Sequence, residues 1–223
     1  MNKLKIIGSI ENILRTIRAL NFMQIFTVYV RYLIGSAFVI STFTMNKFGL
    51  YGSVSAMQNK ISLDELPPPA LLFRVFAETK TYWSFIGIVQ LTSGILLITQ
   101  RFSKLGALLY FVIILNIFII TVTFGFEGTP IITGLMLMAS LFLIIWDIES
   151  FFSIVINEYE YKKQNLSISD DAYWIYLGLL IVLSIIFFGV FYPSFFLLLV
   201  VPFLEGLIGF IFFRFLFGHN KFF

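Results

Sequence analysis

The sequence predicts an all-α integral membrane protein with about six transmembrane helices, and three observations carry that prediction. Of its 223 residues, 59% are hydrophobic and only 12% are charged, whereas soluble domains carry about a quarter charged residues. Six stretches are long and apolar enough, or nearly so, to cross a hydrocarbon layer of ~30 Å at ~1.5 Å per helical residue. Short polar or proline-bearing breaks at Gln100-Arg101, Gly128 with Pro130, and Pro193 separate neighbouring stretches, and such tight turns force antiparallel packing.

Residues 1–20 read as an amphipathic interfacial helix. Ile6, Ile10, Ile13, Leu14, Ile17 and Leu20 recur at helical spacing, with Lys3, Lys5, Arg15 and Arg18 available to lipid phosphates. The expected spans are 23–44, 82–99, 105–126, 130–146, 173–191 and 194–217. The first four form a bundle over 21–156. A linker at 157–172 leads to a hairpin and tail at 173–223.

The loop 45–81 is long and apolar, and is expected to cap the outer mouth of the bundle. Pro67-Pro68-Pro69 is expected to block a helix, which resumes over Ala70–Glu78. Asp170 and Asp171 stand where carboxylates favour a helix N-terminus. Tyr82, Trp83, Trp146, Tyr173, Trp174 and Tyr176 stand at span ends, as an interfacial aromatic belt would.

The basic residues orient the chain. With the N-terminus inside, Lys3, Lys5, Arg15, Arg18, Arg101, Lys104, Lys162, Lys163, Arg214 and Lys221 lie on the cytoplasmic side. Only Lys47, Lys60, Arg74 and Lys80 lie outside, all in one long loop. The positive-inside rule then puts both termini in the cytoplasm. The expected location is a bacterial-type inner (plasma) membrane, crossed several times.

Composition also excludes function classes. There is no cysteine, so thiolate ligands and disulfides within the chain are ruled out. His219 is the only histidine, which leaves almost no donors for a haem or transition metal. Basic residues are dispersed and the net charge is only +3, giving no basis for nucleic-acid binding. No catalytic, metal or cofactor-binding residue is expected, and a quinone or lipid is the ligand class left open.

Four strongly polar residues interrupt the spans: Arg31, Gln90, Asn116 and Glu205. Counted from the cytoplasmic ends they fall at depths of roughly 12–18 Å. Polar groups in hydrocarbon need partners, so the expectation is one inward-facing layer. Arg31 would donate to Glu205 directly or through Gln90, Asn116 or water. Such a layer either fixes helix register or forms a polar site for a quinone, a lipid headgroup or a proton on Glu205. Asp147 and Glu149, two residues apart, do not share a helical face and are not expected to form a paired-carboxylate site. Pro202 beside Glu205 suggests a local break in the sixth span.

Residues 28 to about 155 resemble the DoxX-like family of small four-helix membrane proteins. The resemblance rests on VRYLIGSAF, with Arg31, Gly35 and Phe38, and on GIVQLTSGILLITQRFSKLGALL, with Gly94, Arg101 and Gly106. The long loop after the first helix and the order of tight turns agree with it. Thr42 and Met45 stand where the family often has a glycine and a lysine, the nearest lysine here being Lys47. Gln90 stands where an acid is frequent, and the hairpin after residue 157 is additional. Glu205 on that hairpin is a candidate for supplying the missing carboxylate.

The resemblance implies association with membrane redox systems such as thiosulfate:quinone oxidoreduction. The leading expectation is an accessory or assembly subunit of a larger membrane complex, redox-associated and not itself catalytic. Its partners would be membrane lipids and other membrane-protein subunits, with phenylalanines such as Phe195, Phe196, Phe210, Phe212 and Phe213 as a surface. The alternatives are a quinone- or lipid-binding protein taking part in electron transfer, and a proton-coupled small-molecule transporter.

Overall fold

The computed structural model describes residues 12–50, 66–155 and 168–221, all helix, turn or coil without a strand. A short helix over 12–19 (α1) leads into α2 (Asn21–Thr44). There follow α3 (Pro68–Glu78), α4 (Thr81–Ile98), α5 (Ser103–Thr123), α6 (Thr129–Trp146), α7 (Ile148–Val155), α8 (Ala172–Phe191) and α9 (Phe195–Lys221). Helices α2, α4, α5, α6, α8 and α9 are long and apolar enough to cross a membrane. The chain is a multi-pass, all-α membrane protein. We call the side from which α2 enters proximal and the other distal.

The order of packing follows from the turns. Helices α2, α4, α5 and α6 close a ring in which each packs on the next and α6 returns to α2. The hairpin of α8 and α9 lies against the outside of α2, and α8 also reaches α4. Helix α2 is therefore the wall between two cores. One side meets Leu97, Tyr110, Ile114 and Leu143 inside the ring; the other meets Trp174, Ile181, Ile185 and Phe213 of the hairpin. That double coverage makes α2 the most enclosed span, 61% buried against 22–39% for the others.

Glycines permit the closest approaches. A Cβ on Gly94 of α4 would stand 2.7 Å from the carbonyl oxygen of Gly35 on α2, and a Cβ on Gly178 of α8 would run into the carbonyl oxygen of Ile98. Small residues of this kind let backbones meet where lipid supplies no hydrophobic drive between helices. Gly125 and Gly128 both have φ near +70° in the α5–α6 turn, a region that side chains disfavour. At the N-terminus of α8, Asp171 accepts from the Tyr173 amide at 3.0 Å.

Several expectations need correction. The proline run does not delay α3, which begins at Pro68, because a proline in the first helical turn gives up no intrahelical bond. Pro202 lies inside a continuous α9 without a break. The tryptophans are not lipid-facing anchors: Trp83 and Trp146 are buried, and Trp174 is fully enclosed with its indole N–H donating to Ile168 O at 2.8 Å. Tyr82 and Tyr176 do face outward. Phe213 is a core residue and Phe210 lines a groove, so the outward phenylalanines of α9 include Phe195, Phe196 and Phe212. Residues 1–11 of the expected interfacial helix and 51–65 of the outer loop lie outside the described residues, as does the side chain of His219.

Candidate functional site

The four polar residues singled out in the spans do not form one layer. Each has its own surroundings, and the helix faces explain why.

Arg31 is the eleventh residue of α2, buried to 7% exposure. Helical side chains lean toward the N-terminus, so its guanidinium reaches back to the proximal end. There Nη1 donates to Gln100 Oε1 at 2.9 Å and Nη2 to Asp147 Oδ2 at 3.1 Å. Gln100 closes the α4–α5 turn at φ 59°, and Asp147 caps the end of α6. One arginine thus ties together three spans of the ring. The expected pairing with Glu205 is absent from the bonds Arg31 makes among the described residues.

A second arginine repeats the device. Arg18 on α1 donates to Glu149 Oε1 at 2.8 Å and to the carbonyl of Trp146, whose ring it also covers at 5.9 Å. Asp147 and Glu149 are therefore separately paired, consistent with the spacing that keeps them off a common face. Gln24, also buried, bridges the same end: Oε1 accepts from the amides of Ile168 and Ser169 at 3.1 and 3.2 Å, while Nε2 donates to Arg18 O at 3.0 Å.

Gln90 belongs to the distal end. Its Oε1 accepts from the ammonium of Lys47 and lies 3.4 Å from Ser41 Oγ. Lys47 is buried to 3% exposure, 5.1 Å from the centre of the Trp83 ring, and its backbone carbonyl accepts from Ser84 Oγ at 3.1 Å. Burial pulls its pKa down to about 7. No carboxylate among the described residues forms an ion pair with it.

Asn116 points away from the bundle. The inward side of α5 is set by Gly106, Ala107, Tyr110 and Ile114. Asn116 follows Ile114 by two residues, a rotation of about 200°, and is exposed. Glu205 is half-buried and stays within the hairpin, its Oε2 accepting from Ser184 Oγ on α8 at 2.8 Å.

A groove lies elsewhere, between α2 and α9, with a volume of about 840 Å³. Ile25, Tyr29, Ser36 and Ile40 of α2 face Phe203 and Phe210 of α9 across it. Within its wall, the Tyr29 hydroxyl donates to Gly206 O at 2.8 Å, pinning the two helices together. From Ile25 to Ile40 the groove runs ~22 Å along α2, more than half of a hydrocarbon layer of ~30 Å. A volume of this size falls within the ~300–1,000 Å³ of ordinary ligand sites, and almost all the groups it presents are apolar.

Sequence reasoning missed Gln100, Asp147, Arg18, Glu149, Gln24 and Lys47 as members of buried polar clusters. The signal that was available is the lean of α2 side chains toward the end where Asp147 and Gln100 stand. No protein-family model, no curated protein and no solved structure matches this chain.

Proposed function

We propose that this chain is a membrane-embedded binder of a long apolar tail, of the lipid or isoprenoid-quinone class, and not itself a catalyst. The groove between α2 and α9 carries this reading. Its length exceeds one leaflet, so it suits an extended isoprenoid tail or chains from both leaflets better than one acyl chain. The charged clusters at the proximal end favour a structural role for themselves, since Arg18 pairs with Glu149 and Arg31 with Asp147. A redox-associated place in an inner membrane, with both termini cytoplasmic, follows from the DoxX-like resemblance and the distribution of basic residues, and is part of the same proposal.

The test is extraction of the protein purified in mild detergent, followed by mass spectrometry of the bound apolar molecules. Wild type should retain a quinone or phospholipid near one per chain through a delipidating wash. Ala37→Trp, which fills the groove from α2, should lose it. Equal retention by the two proteins, or none by either, would overturn the reading.

A further inference from the structure

Gln24 and Gln90 are both buried and hydrogen-bonded. Asn116 differs from them: it is exposed on the outer face of α5 and makes no hydrogen bond among the described residues. Span threonines such as Thr121 and Thr133 return their protons to helix carbonyls. A carboxamide has two donors and an acceptor to satisfy, and hydrocarbon satisfies none of them, at a penalty of several kcal/mol for each unsatisfied group. Asn116 lies seven residues from the distal end of α5, or ~10 Å inside the layer.

The surface around it has a pattern. Leu105, Val112, Asn116, Ile119 and Thr123 are exposed and Leu109 is half-buried, and their spacings alternate between four and three. That is the seam of a helix pair, and Asn116 stands within it. Lipid accepts any apolar stripe, so the stripe alone specifies nothing. The amide does, because it carries its own complement: the oxygen of one copy accepts what the nitrogen of another donates. A two-fold axis along the membrane normal brings each residue of α5 to the same depth as its counterpart, which sets Asn116 against Asn116.

We propose that the outer face of α5 is a homodimer interface in which two Asn116 side chains hydrogen-bond across the two-fold axis. It is independent of the groove, which lies between α2 and α9, whereas α5 packs on α4 and α6.

The chain has no cysteine, so single cysteines report without background. In native membranes holding the protein, Val112→Cys and Ile119→Cys should give an oxidant-dependent dimer of twice the chain mass. Leu183→Cys, exposed on α8, should not. Adding Asn116→Leu to Ile119→Cys should lower the dimer yield by about fivefold, while Asn116→Gln, which keeps the self-complementary amide, should retain most of it. Elution of every variant as a single detergent-solubilised species controls for folding. Equal cross-linking at the seam and at Leu183, a yield indifferent to Asn116→Leu, or cross-linking to a chain of another mass would each overturn the proposal.

Discussion

Arg31 and Asp147 stand 116 residues apart in sequence, yet their side chains meet at 3.1 Å between α2 and the end of α6. With Gln100 as the second acceptor, the pair closes the proximal end of the four-helix ring. Removing one partner of a buried pair leaves the other charge uncompensated, at about 3–5 kcal/mol. Arg31→Met and Asp147→Leu should each lower the melting temperature in detergent by many degrees. The double variant should recover much of the loss, giving a coupling above ~1 kcal/mol. Arg31→Met combined with Glu205→Gln should be additive, because Glu205 bonds Ser184 on another helix.

A close backbone contact between α2 and α4 gives a second prediction. On Gly94 a new Cβ would face the Gly35 carbonyl at 2.7 Å and Val39 Cγ2 at 2.8 Å. Backbone cannot move aside cheaply, so Gly94→Ala should destabilise by about 1–3 kcal/mol through overpacking. Gly134 on α6 is the control, since a Cβ there meets only the Phe118 ring edge at 3.3 Å. Gly134→Ala should be neutral or stabilising by up to ~1 kcal/mol, as alanine is the better helix former. Thermal unfolding of the two variants side by side distinguishes them; equal losses would contradict the close α2–α4 contact.

The contrast between these two sets of contacts also shows what the sequence reveals. Span positions are legible because hydropathy runs end where water begins: residues 82–99 are expected and Thr81–Ile98 is found. The expected contacts inside the bundle are less so. The depth of the Arg31 Cα is not the depth of its charge, because a long side chain leaning toward the helix start delivers the guanidinium about a turn nearer the proximal end. The inward direction expected of Asn116 fails because α5 is apolar all round, and a helix with no polar face does not announce which side is buried. Lys47 and Gln90 come from segments whose meeting depends on the α2–α4 packing, which local pattern does not encode. The apolar groove is a property of shape, and nothing in the sequence of α2 or α9 distinguishes it from lipid-facing surface.

Lys47 makes stability depend on pH. An ordinary lysine holds its proton to about 10.5, whereas burial brings the folded value down to about 7. Between these limits the unfolded state binds more protons, so stability rises with pH from about 7 toward 10.5 and is level below 7, where both states are protonated. The full rise is on the order of 5 kcal/mol. The groups facing Lys47 are Gln90, Trp83 and Ser84, none of which titrates in this window. Melting curves in detergent from pH 6 to 10 should climb for the wild type, and the Lys47→Met variant should lose most of the slope.

Gln24 offers the sharpest test of the proximal end, because one amide makes three bonds there. It accepts from two backbone amides at the start of the segment leading into α8 and donates to the carbonyl of Arg18. Gln24→Leu keeps the volume but leaves the amides of Ile168 and Ser169 without their acceptor in a buried site. Each orphaned group costs about 1–3 kcal/mol, so a loss of ~2–5 kcal/mol is expected. Gln24→Glu keeps the acceptor oxygen and should retain part of that stability, although a carboxylate facing the Arg18 carbonyl has no proton to donate. Hydrogen exchange at residues 168 and 169 is the decisive readout. Protection there should fall in Gln24→Leu and persist in Gln24→Glu, and unchanged protection in Gln24→Leu would show that the segment is held by Trp174 and its Ile168 contact alone.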